Sequence, residues 1–150
     1  MRVEVGPTLC DAARVALYNA HAFGRSLARD ETPMDEDRYA RFLTQTCCDS
    51  FEMRYYLDER LVGIAITDRA ADSLSAVYCY YDPALPKLSI GTFSILEQLE
   101  LCKATGLTYL YLGLYVVGSA TMAYKARFLP HEQRIDGVWQ LFTESSEEMR

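Results

Sequence analysis

The sequence predicts an α+β protein, a mixed sheet with helices on both faces. Three observations predict it. The first is the order of periodicities: two helical segments, three short alternating runs, then helix, strand, helix, strand. The second is a helical segment at 90–105 that separates the third alternating run from a brief apolar one at 107–113, as a crossover between strands does. The third is that 50% of the 150 residues are hydrophobic, enough for a core between layers, with no repeat, linker or low-complexity block. The length suits one domain over residues 1–150.

In chain order, residues 8–28 carry Leu9, Ala13, Ala16, Leu17 and Ala20 at helical spacing. The stretch RDETPMDED (29–37) reads as a polar connection, and a short helix over 35–46 puts Tyr39, Phe42 and Leu43 on one face. FEMRYYL (51–57) and LVGIAITD (61–68) read as a hairpin turning at 58–60. LSAVYCYYD (74–82) is a third strand, stopped by Pro83. Its alternation puts Tyr78 and Tyr80 on one face, and Cys79 and Tyr81 on the other. The helix at 90–105 presents Ile95, Leu96, Leu99 and Cys102 as its apolar face and ends at Gly106. LTYLYLG (107–113) is a buried strand. SATMAYKARF (119–128) is a short helix ended by Pro130, and VWQLF (138–142) is a last strand with Trp139 filling the core. The acidic end, TESSEEMR, is expected to fray.

A net charge of −6 argues against a general nucleic-acid coat. The charge is uneven. Residues 1–83 hold nine basic and fourteen acidic side chains, residues 84–134 five and three, and residues 135–150 one and four. Five cysteines with no C-x-x-C pair and no secretory leader predict reduced thiols in a cytoplasmic protein. No apolar run approaches the ~20 residues of a membrane span. His21 and His131 read as surface residues, and no metal site is expected.

One stretch of the net-positive region stands out, YYDPALPKLSIGTFS (80–94). Lys87, Ser89, Gly91, Thr92 and Ser94 crowd the start of the helix at 90–105. A helix start offers free N–H groups and the positive end of the macrodipole, so it attracts anions. The same residue types also serve as ordinary caps. Both readings stand on the residues alone.

The element order is that expected of an acyltransferase fold of the GNAT type, in which a ligand phosphate meets the helix after the central strand. The usual coenzyme A loop resembles Arg/Gln-x-x-Gly-x-Gly/Ala. The matching PKLSIGTFS has one glycine, which weakens an acetyl-coenzyme A reading. LSAVYCYYDP (74–83), LSIGTFSILEQLELCKATGLTYLYLG (88–113) and MAYKARFLP (122–130) closely resemble the C-terminal domain of arginyl-tRNA–protein transferases and their bacterial leucyl-tRNA–protein transferase relatives. The resemblance covers about residues 35–140. It implies a transferase that moves arginine or leucine from a charged tRNA to the N-terminal amine of a protein, typically one starting with Asp or Glu, marking it for degradation through the N-degron pathway. It implies aminoacyl-tRNA as co-substrate and no cofactor. It also implies that Lys87, Ser89, Gly91, Thr92 and Ser94 meet the tRNA 3′ end. The chain departs from the family pattern at Thr121, where Lys is frequent, and at Leu114, where an aromatic is frequent. The family's N-terminal cysteine-rich domain has no counterpart in the sequence, so a partner chain in its place is one expectation.

Such a reaction needs an amine freed of its proton and a donor for the carbonyl oxygen that gains charge. Asp82 is the candidate for orienting or deprotonating the amine, against the plain reading of Asp-Pro as a turn opener. Tyr80 and Tyr78 are candidates for oxyanion donation or for stacking on the terminal adenine, against sheet packing. Tyr124, Lys125 and Arg127 are candidates for tRNA phosphate or an acceptor carboxylate, against a solvated helix face. A coenzyme A-dependent N-acyltransferase and a non-catalytic adaptor retaining the fold are the alternatives.

Overall fold

A computed structural model describes residues 1–27, 32–119 and 121–144. The chain forms two compact units, Met1–Tyr111 and Leu112–Arg150. The first unit holds a five-stranded sheet in the order β1 (Arg2–Pro7), β2 (Asp49–Leu57), β3 (Arg60–Arg69), β4 (Ser73–Tyr81), β5 (Tyr109–Tyr111). Neighbours are antiparallel except β4 and β5, which are parallel and joined by the crossover helix α3 (Ile90–Thr105). This is the mixed sheet that the periodicity predicts. β1 was not anticipated, although Val3 and Val5 alternate in RVEVGP. The run is short and closes on Gly6-Pro7, which reads as a turn.

Alternation along the strands sorts two cores. On one face Met53, Tyr55, Ala65 and Leu74 pack with Ile90 and Cys102 of α3. On the other, Ile64, Ile66 and Tyr80 pack with Tyr39 and Leu43, and with Val15, Leu17 and Tyr18 of α1 (Ala12–Gly24). Helices therefore cover both faces. Tyr39 ends the short helix α2 (Glu36–Tyr39), which continues as a wider turn, Ala40–Thr44, closed by Gln45 N donating to Ala40 O at 2.8 Å. The connection over 29–37 lies partly outside the described residues.

The buried side of α3 differs from the expected one. Ser94 and Gln98 are 0% and 1% exposed, whereas Leu96 is 49% exposed. The polar pair is satisfied internally. Tyr55 Oη donates to Ser94 Oγ at 2.9 Å, Gln98 Nε2 donates to Ser94 O at 3.2 Å, and Thr67 Oγ1 donates to Gln98 Oε1 at 3.2 Å. Buried polar groups placed this way cost little because each has a partner.

In the second unit, Ala123–Arg127 is a 3-10 turn rather than an α-helix, followed by a cis peptide at Leu129-Pro130. β6 (His131–Ile135) pairs antiparallel with β7 (Val138–Phe142). The polar sequence HEQRI gave no strand signal. The link between them is Asp136-Gly137, both at positive φ, which is the chemistry of a two-residue hairpin turn. Trp139 is 50% exposed, not a core residue as expected. The tail beyond 144 lies outside the described residues.

Candidate active site at the end of β4

Among the described residues, β4 has a strand partner on only one side near its end. Its outer edge pairs with β5 over Ser73–Ser75 alone, and a register shift against β3 leaves Val77 as an extra residue. Beyond Tyr81 the bond to β3 passes to Asp82, whose N–H donates to Val62 O at 2.9 Å. Asp82 Oδ1 accepts from Ala84 N–H at 2.8 Å, and Leu85 N donates to Asp82 O at 3.2 Å, which closes a turn around Pro83. Asp82 Oδ2 lies 3.0 Å from the Arg60 guanidinium. The aspartate is thus the turn opener and, with Arg60, one half of an ion pair. Arg60 sits at the start of β3, where only a surface charge was legible.

After this turn the chain makes one 3-10 turn, Pro86–Leu88, carrying the exposed Lys87. Ser89 then adopts φ 46°, ψ 45°, the left-handed region that a non-glycine residue enters at a cost of ~1–2 kcal/mol. Its side chain caps nothing. Phe93 N is the first to reach back, to Ser89 O at 3.0 Å. The amides of Ile90, Gly91 and Thr92 therefore meet no side-chain acceptor among the described residues, and the capping alternative for this stretch does not hold. Gly91 and Thr92 lie on this first turn, Thr92 exposed. A Cβ on Gly91 would sit 3.5 Å from Tyr81 Cε1 and 3.9 Å from its hydroxyl, so the Tyr81 ring lies beside the helix start. Ser94 does not belong with these residues. Its hydroxyl is enclosed between Tyr55 and Gln98, because Ser94 shares the core-facing side of the helix with Ile90 and Gln98, whereas Thr92 does not.

The C-terminal end of α1 is fixed to the same corner. His21, expected at the surface, is 4% exposed, with Nδ1 3.2 Å from Tyr81 N and 3.1 Å from Tyr81 O. It meets the strand edge that β5 leaves open. Burial lowers its pKa below the ordinary 6.5, an effect the nearby Arg25 reinforces and the backbone contact opposes. A Cβ on Gly24 would come within 2.6 Å of Pro83 Cγ, so glycine lets the helix end close on the turn. Arg25 donates to the Tyr81 hydroxyl. His21, Gly24 and Arg25 were all missed by the sequence reading, since a helix end carries no signal of the strand that receives it.

Tyr80 and Tyr78 fall on the α1 face. Tyr80 is 0% exposed and its hydroxyl bonds to that of Tyr39. Burial pushes the Tyr39 phenol up to about 12 and that of Tyr80 higher still. A phenol closed off in this way has no path to a reacting ester, so Tyr80 is corrected from reacting group to core. Tyr78 is half-buried and stacks on Tyr18 with centroids 5.7 Å apart. Beneath this aromatic cluster Arg14 Nε donates to both Glu52 oxygens at 3.1 Å, and its guanidinium also pairs with Asp11. The hydrogen bond to Glu52 raises the Arg14 pKa.

In the second unit Lys125 Nζ donates to Leu114 O at 2.7 Å, and partial burial lowers its pKa from the ordinary 10.5. Tyr124 is 39% exposed and Arg127 is exposed. No helix among the described residues is long and apolar enough to cross a membrane.

Comparison with known proteins agrees with this architecture. An N-acetyltransferase, PaiA of Thermoplasma acidophilum, solved with coenzyme A, superposes with a TM-score of 0.60 over 94% of this chain and 97% of that one, at 14% identity. The ribosomal-protein-S18-alanine N-acetyltransferase of Escherichia coli gives 0.57 over 88% and 79%, also at 14% identity. These likenesses establish a GNAT-like fold. In sequence, the aspartate/glutamate leucyltransferase of Acinetobacter baumannii strain ACICU is 39% identical over 129 residues, 86% of this chain and 48% of that protein. The enzyme of the same name from Aeromonas salmonicida strain A449 is 44% identical over 108 residues, 72% and 45%. The chain spans about half the length of the curated relatives it matches. Residues 13–135 match the family described as the arginine-tRNA-protein transferase C terminus, and the chain belongs to that family.

Proposed function

We propose that this chain carries the transfer centre of an aminoacyl-tRNA–protein transferase. The observation that carries the reading is the family match over residues 13–135. The donor is a charged tRNA, with leucine as the amino acid in keeping with the names of the relatives. The acceptor is the α-amine of a protein beginning with Asp or Glu. The uncapped start of α3 supports a site for the anionic 3′ end of the tRNA, with Gly91 allowing close approach and Lys87, Ser89 and Thr92 around it.

In the reaction the neutral amine attacks the ester carbonyl. A C–N bond forms and the C–O bond to the terminal ribose breaks, with the amine's proton passing to the departing ribose oxygen or to solvent. The ester is already reactive, so positioning supplies much of the rate. Asp82 is the proposed acceptor for the amine's N–H groups, held in place by Ala84 N–H and Arg60. Tyr124, Lys125 and Arg127 of the second unit are proposed contacts to RNA phosphate or acceptor.

An intact-mass assay tests this. The protein is mixed with a peptide beginning with Asp and a pool of charged tRNAs, and in parallel with acetyl-coenzyme A. A gain of one leucine residue from the tRNA arm is expected. A gain of arginine would correct the donor, and an acetyl gain alone would overturn the reading.

A further inference from the structure

We propose that Arg25 is the specificity-determining residue that binds the side-chain carboxylate of the acceptor's first residue. The inference rests on the transferase reading above. An acceptor chosen for Asp or Glu carries its carboxylate only a few bonds from the attacking amine. A cation that selects it must therefore stand beside the residue that orients that amine. Two arginines stand by the turn at Asp82. Arg60 is taken by Asp82 itself. Arg25 meets a neutral partner, the Tyr81 hydroxyl, and forms no ion pair among the described residues.

Arg25 is also held in place by more than its own bond. His21 fixes α1 to the backbone of Tyr81, Gly24 closes on Pro83, and the Arg25 guanidinium stands over the Tyr81 ring at 5.8 Å. Tyr81 is the residue immediately before Asp82, and its ring borders the first turn of α3. One phenol thus links the proposed donor site to a guanidinium. Arg25 is exposed, and with one N–H on the Tyr81 hydroxyl its planar fork has further donors to offer a carboxylate. A phenol fixes the arginine without neutralising it, which a carboxylate partner would do.

The test uses the full chain and two peptides that differ only in Asp or Asn at position one, titrated by calorimetry without tRNA and then assayed for transfer. The wild type is expected to favour the Asp peptide. Arg25→Gln is expected to lower binding and kcat/KM for that peptide about 10- to 100-fold and to leave the Asn peptide nearly unchanged. Arg25→Lys should recover part of the preference, and Tyr81→Phe should weaken it by a smaller factor. An equal loss on both peptides would mean a structural role and would overturn the proposal. So would an unchanged preference, or a loss confined to RNA binding. If the chain transfers nothing, the transferase reading fails by itself, while the calorimetric preference still decides whether Arg25 reads the carboxylate.

Discussion

At the start of α1, Asp11 accepts from Arg14 N–H at 2.9 Å, and the Arg14 side chain runs on to Glu52 in the sheet. At the start of α3, Ser89 turns left-handed and caps nothing. Both helices pack on the same sheet, one on each face, and both face the same loss of intrahelical partners for their first amides. The first start is closed by charges of its own chain. The second forgoes a cap worth ~0.5–2 kcal/mol and bears a strained residue besides. On the proposed reading, the amides left open there serve the anionic 3′ end of the tRNA. The chain's hydroxyl-rich stretch at 89–94 is therefore informative for what those hydroxyls do not do.

The largest expected effect is on the closed side. Glu52→Ala leaves Arg14 buried without its main partner and should cost ~3–5 kcal/mol, read as a lower urea midpoint at unchanged slope. Next comes the corner before the open start. Asp82→Asn keeps an acceptor for Ala84 N–H, so the fold should hold, while loss of the carboxylate that orients the amine should lower transfer by ~100-fold or more. Wild-type transfer by this variant would remove Asp82 from the site. Thr92→Glu sharpens the contrast, because it supplies the negative charge that the first turn of α3 lacks. It should raise stability by ~0.3–1 kcal/mol while weakening RNA binding about fivefold. A variant that gains stability with no loss of binding would make the open start a mere imperfection.

The smallest effect concerns the joint between α1 and β4. The folded pKa of His21 lies below 6.5, so as pH falls the unfolded chain takes up the proton first. Stability present above 6.5 is lost as pH drops through 6.5 towards the folded value. The wild type's advantage over His21→Gln should therefore shrink between about pH 7.5 and about pH 5, checked by thermal melts of both proteins.

Most of the layered fold was legible from the order of helical and alternating segments, but the buried face of α1 was not: Ala13, Ala16 and Ala20 are exposed, while Arg14, His21 and Ala22 are buried. The helix at 90–105 and the strand at 138–142 begin and end where expected, at the Ser89 turn and Gly106 for the helix and at Gly137 for the strand's start. β6 was not legible as a strand because its residues are polar, although Asp136-Gly137 announced the hairpin. The face of α3 was misjudged because Ser94 and Gln98 are buried through hydrogen bonds, which hydropathy does not register. The hydroxylated helix start and Asp82 could be singled out along the chain. Arg60, Arg25 and His21 could not, since they arrive at the corner from β3 and α1, distant in sequence, and only the tertiary fold brings them there.

The most direct measurement of the central claim compares the two helix starts in one experiment. Backbone amide shifts of the 15N-labelled chain are followed while an RNA hairpin ending in the single-stranded 3′ tail of a tRNA is added. The account predicts shifts concentrated at Ile90, Gly91 and Thr92, with Ala12, Ala13 and Arg14 at the capped start of α1 unmoved. Saturable binding that leaves the Ile90–Thr92 amides unchanged would contradict it.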